Sequence, residues 1–403
     1  MKHIIIVGDG MADLPIKELG GLTPLQAAHT PWMDCLARKG CSGMLHTIPT
    51  GFAPGSEIAN LSLLGYDVAS VFEGRGSLEA ASMGVTIGQD EMAMRCNLIT
   101  IEHGLIKNHS AGHISTEEAR ELILFLEEKL GGGPFHFYNG VSYRHLLTMK
   151  GGDKRIVCTP PHDVPGAMFC NLMVQPLSPQ ASTTAEQLNR LIVASQALLA
   201  NHPINLHRVE EGKDPANSIW PWSPGYRPQM ESLLKKYGLR SGSVISAVDL
   251  IKGIGVYAGL KPVEVAGATG LFNTNYEGKA AAAIHALWFD DFVFLHIEAS
   301  DEASHAGDVQ LKIKTIEYLD QRIVGPLYQE VVTWDQGVTL ALLPDHPTPC
   351  ILKTHTSDPV PFLIWDRNIL PDSVLCYNEQ EAARGGYGYL SGLEFMNLFM
   401  EKQ

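Results

Sequence analysis

Positive charge is scarce in this chain. Thirty Lys and Arg against 44 Asp and Glu leave a formal charge of −14 over 403 residues. A nucleic-acid backbone asks for a basic face, so that class of partner is disfavoured. A small anionic substrate is not, because bound cations and a few local arginines reverse the potential of an acidic protein inside its site. The seven cysteines are odd in number, widely scattered and form no CxxC pair. The amino terminus begins at once with a strand pattern in place of a basic stretch and an apolar signal region, so a reduced, cytosolic protein is expected. No apolar run approaches the roughly 18 residues of a membrane span, and no membrane partner is expected. A glycine-rich GxxxxGK[ST] loop is missing, which removes the P-loop kinases. Internal repeats and a low-complexity tail are absent as well.

What is present is ample material for burial. Hydrophobic residues make up 45% of the chain, with six tryptophans among them. A chain of this length exceeds the usual size of one hydrophobic core, so two domains are the expectation. His3 to Val7 is a short apolar run ending in Gly8-Asp9-Gly10, which puts Asp9 just past the carboxyl end of a buried strand. Thr23-Pro24 then opens a helix expected to run toward Arg38. The last third repeats this strand, loop and helix order: strands are expected at Phe292 to Glu298, Val338 to Leu343 and Pro361 to Trp365, and a helix from Asp308 to about Ile323. This is the grammar of an α/β fold with a mostly parallel sheet flanked by helices, which delivers functional side chains to the carboxyl ends of its strands.

The middle of the chain reads differently. Strands are expected at Glu91 to Thr100 and Phe135 to Tyr138, with a helix capped by Ser115 and Glu118 and a second one over Thr184 to Leu199. Asn217 to Pro228, rich in Trp, Pro and Gly, reads as a long ordered loop. Residues 76–259 are therefore expected to form an α+β insertion, and residues 1–75 and 260–403 a discontinuous core.

Potential metal ligands recur at the ends of the predicted core strands: Asp9, Asp301 and His305, Asp345 and His346, and His355, with one hydroxyl, Ser56. Asp301 and His305 lie four positions apart and share a face if the backbone is helical. Carboxylate with imidazole suits a manganese- or zinc-like ion, whereas magnesium asks for more oxygen. The bland alternatives are that Asp345 caps the turn at Pro347, that His346 bonds to backbone, and that His355 sits in an ordinary capping loop. Ser56, at the probable start of a helix after Pro54-Gly55, reads either as an N-cap or as a nucleophile whose hydroxyl is activated by a cation.

The motifs GDGMAD, APGSEIANLSLLGYD, DEASHAGD, LPDHPTP and HTSDPVPFL together resemble the archaeal-type branch of the cofactor-independent phosphoglycerate mutases, within the alkaline phosphatase superfamily. Ser304 and Pro347 depart from the commoner DEAGH and GDHSTP forms without removing a ligand. The resemblance implies an alkaline-phosphatase-like core with an inserted cap. It implies two divalent ions, manganese first, with magnesium, zinc or cobalt as alternatives, and no 2,3-bisphosphoglycerate. One ion would be held by Asp301, His305 and His355, the other by Asp9, Ser56, Asp345 and His346. It implies interconversion of 3-phosphoglycerate and 2-phosphoglycerate through a phosphoserine at Ser56. Arg144, His145, Arg95, Asn97 and His113 resemble the cap-side substrate region, and Lys279, in the GLFNTNYEGKA element with Asn273, Asn275 and Tyr276, resembles a phosphate contact. Arg144 is the strongest of these because its planar fork suits a carboxylate or phosphate, although an internal ion pair is the other reading. Lys279 is read equally as a solvated lysine near a helix end, and Arg75 as a residue that closes on substrate or braces the junction. The competing functions are a related metal-dependent phosphomutase or phosphatase acting on another small phosphorylated metabolite, phosphohomoserine included, and a metal-stabilised scaffold in which Ser56 only caps.

Overall fold

The structure is a computed structural model and describes residues 1–401. It divides into two compact units, one made of residues 1–72 with 229–403 and the other of residues 73–228.

The discontinuous unit is built on a sheet that has eight strands among the described residues. The Lys2–Gly8 strand lies between Phe292–Ile297 and Val338–Leu343, parallel to both. All three are buried along their whole length, which is why they read as continuous apolar runs and not as alternating patterns. Outside Phe292–Ile297 follow the short parallel strands Gly242–Ile245 and Lys261–Pro262. On the other side Val360–Trp365 pairs antiparallel with Val338–Leu343 and with Cys41–His46, and Gly388–Ser391 pairs parallel with Cys41–His46 at the edge. Pro262 is tolerated because it ends an edge strand that needs no ladder donor there.

Residues 229–259 were expected in the insertion and belong instead to this sheet and its covering helices. Gly242–Ile245 is too short to announce itself, and it is held by parallel pairing with Phe292–Ile297, from Gly242 opposite Phe292 to Ile245 opposite Leu295. The helix expected from Thr23 to Arg38 is two. Thr23 caps Pro24–Ala27 with a full capping box, and a new helix, Pro31–Lys39, starts where Pro31 forces a fresh first turn. Likewise Val309–Leu319 passes through a wide π turn over Asp320–Val324 into Gly325–Val331, past Pro326.

The second unit carries a five-stranded sheet in which Glu91–Glu102 pairs with Leu105–Asn108, Arg144–Lys150 and Ser218–Gly225, and Phe135–Val141 pairs with Arg144–Lys150. The helices Thr116–Leu130, capped by the Ser115/Glu118 box, and Ser182–Leu199 bury Leu122, Ile123, Leu126, Leu188 and Ile192 against Met94, Cys96 and Leu98 of the sheet. The stretch expected as a loop is in fact the strand Ser218–Gly225. Its prolines, Pro221 and Pro224, hid it, and they fit because the strand has one neighbour only.

Candidate active site

The site lies in the discontinuous unit, and strand direction assembles it. Lys2–Gly8, Phe292–Ile297 and Val338–Leu343 end almost flush, with Val7 opposite both His296 and Leu343. The loops after them therefore release Asp9, Asp301 and Asp345 along one edge. Val360–Trp365 runs the opposite way, so the residues before it, including His355, reach that same edge. The helix Tyr276–Phe289 feeds back to the start of Phe292–Ile297, which leaves its amino-terminal turn, with Lys279, at the carboxyl ends.

All seven expected ligand residues, Ser56 among them, come together there. Asp301 Oδ2 is 3.1 Å from His305 Nε2, Asp301 Oδ1 is 3.5 Å from His355 Nε2, and the two imidazole Nε2 atoms are 3.0 Å apart. His346 Nε2 lies 3.6 Å from Asp9 Oδ1, 3.5 Å from Asp345 Oδ2 and 3.1 Å from Ser56 Oγ. Asp9, Asp345 and His346 form one group of potential metal ligands, and Asp301, His346 and His355 another.

Ser56 is not a cap. Gly55 occupies the N-cap of the Ser56–Leu63 helix, and Ser56 is the first helical residue, its hydroxyl turned to His346. Asp345 is not a turn cap either: its Oδ1 accepts from Gly10 N at 3.2 Å and from His346 N at 2.9 Å, and its Oδ2 accepts from Asn60 Nδ2 at 2.8 Å. Lys279 is fully buried and not a solvated lysine; among the described residues its ammonium has one hydrogen bond, a long contact of 3.5 Å to Thr269 O. Burial pulls it down to about 8, against the pull of Glu298. Asn275 caps the Tyr276–Phe289 helix through Gly278 N, and Asn273 is exposed.

Hydrogen-bond accounting assigns the tautomers that suit a cation. The Thr348 hydroxyl donates its single proton to Asp301 Oδ1 at 2.6 Å, so at the 3.2 Å contact with His346 Nδ1 the ring must be the donor. The Nε2 lone pair of His346 then faces Ser56, Asp9 and Asp345. In the same way His305 Nδ1 can only donate to Lys353 O, 3.0 Å away, which aims its Nε2 at Asp301. A lone pair facing a carboxylate at this range is unfavourable unless a proton or a cation lies between. Hydrogen bonding to Asp301 accordingly lifts His305 to about 9. Burial and the charges of Asp345, Asp301 and Glu298 drive Asp9 well above the carboxylate range, whereas for Asp301 burial is outweighed by the His305 and His355 hydrogen bonds. The donor set of crowded carboxylates and outward-turned imidazole lone pairs fits divalent ions.

Four further residues belong to the site and were not singled out from the sequence. Asn60 lies one helical turn after Ser56, where its Nδ2 also donates to Ser56 O at 2.8 Å. Thr348 sits two positions after His346 in the DHPT turn. His296, the one imidazole within the strand Phe292–Ile297, is fully buried with its Nε2 3.0 Å from Asp9 Oδ2, and Glu298 stands two positions further on. A histidine interrupting the run FVFLHI was the signal available for them.

In the second unit, register decides which of the expected substrate residues share a face. Asn97 pairs with Arg144, so these two and Arg95 stand on one face, while His145, opposite Cys96, points to the other. Arg144 is exposed. Arg95 pairs with Glu79 at 2.8 Å and stacks 4.5 Å over the Trp222 ring. Asn97 is buried, accepting from Trp222 Nε1 and donating to His109 O. His145 is buried as well; its Nδ1 accepts from Gly140 N at 3.1 Å, and burial pulls it down to about 3. His113 is exposed at a left-handed backbone position with φ of 52°.

Comparison with known proteins agrees with this geometry. The family described as 2,3-bisphosphoglycerate-independent phosphoglycerate mutase matches residues 37–205. A protein of that name from Methanosarcina mazei is 48% identical, with 100% of each chain covered. A solved protein from Pyrococcus horikoshii superposes with a TM-score of 0.84 at 32% identity, covering 99% of this chain and 96% of its own. The cofactor-independent phosphoglycerate mutase from Thermoplasma acidophilum superposes at 0.70 with 27% identity, covering 100% and 99%. The sheet of the discontinuous unit is an alkaline-phosphatase-like α/β core, shared with both solved proteins. The chain belongs to the family of 2,3-bisphosphoglycerate-independent phosphoglycerate mutases.

Proposed function

We propose that this chain interconverts 3-phosphoglycerate and 2-phosphoglycerate without 2,3-bisphosphoglycerate, using Ser56 as the phosphoryl acceptor and donor. The observation that carries the reading is the Ser56 hydroxyl, free of capping duty and 3.1 Å from the outward-facing Nε2 of His346. Asp301, His305 and His355 would hold one divalent ion, and Asp9, Asp345, His346 and Ser56 a second, with manganese favoured by the mixed oxygen and nitrogen donors. Ions bound there neutralise the carboxylates and lower the proton affinity of the serine hydroxyl.

The residues of the chain then have separable tasks. Ser56 Oγ gives up its proton and forms a bond to phosphorus as the bond from phosphorus to the substrate oxygen breaks, and the released glycerate oxygen takes up a proton in its place. In the second transfer the other hydroxyl of the retained glycerate attacks the phosphoserine, its proton is lost, and Ser56 is regenerated. The start of the Ser56–Leu63 helix favours an anion, and the buried Lys279 ammonium supplies a fixed positive charge for the phosphate. Arg144, exposed and planar, is assigned to the acid group of the substrate, with the exposed His113 in the role of a weaker contact. Asn97 and His145 support that region from within, since both are buried and bonded to their own unit. Arg95, tied to Glu79 and Trp222, holds the same face. Seven unpaired cysteines, and the lack of any helix long and apolar enough to cross a membrane among the described residues, support a reducing, cytosolic setting.

The test is to incubate manganese-loaded protein with 3-phosphoglycerate alone and follow 2-phosphoglycerate and free phosphate together by phosphorus NMR. Isomerisation with little phosphate release is expected. Release of phosphate without isomerisation points to a phosphatase, and turnover of another phosphorylated metabolite in place of 3-phosphoglycerate to a related phosphomutase. Ser56→Ala is expected to keep its bound manganese, fold normally and form no phosphoenzyme detectable by intact-protein mass spectrometry.

A further inference from the structure

Lys279 has few bonds of its own to hold its charge in place. Among the described residues its ammonium makes one long contact, 3.5 Å to Thr269 O, so its position is set by the backbone that carries it. That backbone is the first turn of the Tyr276–Phe289 helix, and helix ends fray. Gly278, the residue before Lys279, favours a helix less than any residue but proline. The Asn275 cap secures the amide of Gly278, and the side chains of that turn need a second restraint from outside the helix.

Arg322 supplies it. Its guanidinium lies 4.5 Å over the Tyr276 ring and 5.0 Å over the Tyr318 ring, and its Nε and Nη2 donate to the two carboxylate oxygens of Glu277 at 2.5 and 2.7 Å. Tyr276 and Glu277 are the first two residues of the helix. An exposed ion pair alone is worth little, but this one is bidentate and stacked on aromatic faces, a combination that suits arginine and not lysine. Tyr276 is fully buried and its hydroxyl has no hydrogen-bond partner among the described residues, so the ring is fixed by what packs on it, Arg322 and the edge-on Tyr318 at 5.6 Å. Tyr276 and Lys279 stand three positions apart on one side of the helix, both 0% exposed. What fixes the ring therefore fixes the direction in which the lysine leaves the backbone.

The backbone that carries Arg322 is itself uncommon. It is the π turn Asp320–Val324, and π turns recur at functional sites. Two positions before Arg322, Asp320 Oδ1 accepts from Trp32 N at 3.0 Å and from Met33 N at 2.7 Å, at the start of the Pro31–Lys39 helix. Asp320 and Arg322 thus leave one turn toward two different helices and tie the first turn of each.

We infer that Arg322 is a positioning residue for phosphoryl transfer that acts through Lys279, clamping Tyr276 and Glu277 so that the buried ammonium stays aimed at the phosphate. The inference rests on the assignment of Lys279 to the phosphate made above.

A double-mutant cycle tests it, read as the affinity of manganese-loaded protein for inorganic phosphate by isothermal titration, which needs no turnover. Arg322→Met is expected to weaken phosphate about tenfold in the wild-type background and by under about twofold in the Lys279→Met background. An arginine that only stabilises the fold weakens phosphate equally in both backgrounds, and that result overturns the inference, as does an Arg322→Met protein that binds phosphate like the wild type. A Lys279→Met protein that binds phosphate as tightly as the wild type removes the role of Lys279 and the inference with it. Glu277→Ala, which takes away the partner of the fork and leaves Arg322 in place, is expected to show the same dependence on Lys279 and decides the matter if Arg322→Met does not fold. Absence of isomerisation in the wild type, with this dependence on Lys279 present, counts against the mutase reading alone and supports the role of Arg322.

Discussion

At the scale of single residues, one proton settles much of the chemistry. Thr348 has a single hydroxyl hydrogen and spends it on Asp301, which obliges His346 to donate from Nδ1 and turn a lone pair to Ser56. Gly10 is equally constrained. It stands at φ of 60°, and a Cβ there would come within 2.5 Å of Asp301 Oδ1 and 2.7 Å of Thr348 Oγ1. Gly10→Ala is therefore expected to cost about 1–3 kcal/mol from backbone strain and to weaken manganese binding at least tenfold, as isothermal titration would show. His145 makes a prediction about pH. Its unfolded form takes up a proton below about 6.5, while the folded form, held down by burial to about 3, does not. Unfolding thus binds a proton between these values, and stability falls as pH drops through that window. Relative to His145→Gln, the wild type is expected to lose about 2 kcal/mol between pH 7 and pH 5 in urea unfolding. A constant difference would mean that His145 titrates freely in the folded state, as a direct substrate contact could.

At the scale of elements, the loops at the strand ends are pinned from behind by a buried lysine. Lys312, on the Val309–Leu319 helix, is fully buried and donates to Asp13 Oδ2 at 2.9 Å, Thr348 O at 3.0 Å and Ala12 O at 3.1 Å. One ammonium therefore ties the loop after Lys2–Gly8 to the loop after Val338–Leu343, the two that carry Asp9 and His346. Lys312→Met leaves the Asp13 carboxylate buried without its cation, an expected loss of about 3–5 kcal/mol by chemical denaturation. The double variant Lys312→Met with Asp13→Leu should recover much of that loss while manganese binding stays impaired, since the carbonyls of Ala12 and Thr348 remain unclamped. A helix of ordinary periodicity announced the element but not this task, because a lysine in a sequence reads as solvated until a buried acid is found for it. Ser218–Gly225 is the converse case. Its composition spoke for a loop, and only the single-sided pairing with Glu91–Glu102 makes a strand of it.

At the scale of the whole chain, residues 73–228 carry a hydrophobic core of their own, from Met92 and Met94 in the sheet to Leu188 and Ile192 on the Ser182–Leu199 helix. Expressed alone, this segment is expected to unfold cooperatively, with a midpoint that does not respond to manganese. The full chain, with its crowded Asp9, Asp301 and Asp345, is expected to gain thermal stability as manganese is added. A broad, non-cooperative melt of the isolated segment by circular dichroism would refute its independence. Much of this architecture was legible beforehand. Runs such as IIIVG and VTLALL can be satisfied only by strands buried on both faces, Ser115 and Glu118 mark a helix start by local bonding alone, and Asp9, Ser56, Asp301, His305, Asp345, His346 and His355 stand out because their chemistry is costly without a cation. The tertiary structure alone decided what depends on a distant partner. Residues 229–259 joined the core because a four-residue strand is held by parallel pairing with Phe292–Ile297, Lys279 and His145 were buried by neighbours remote in sequence, and His296 and Glu298 entered the site because Phe292–Ile297 ends beside Asp9. Local propensity and ligand type are properties of the amino acids themselves, whereas burial, register and convergence are properties of pairs that meet only when the chain has folded.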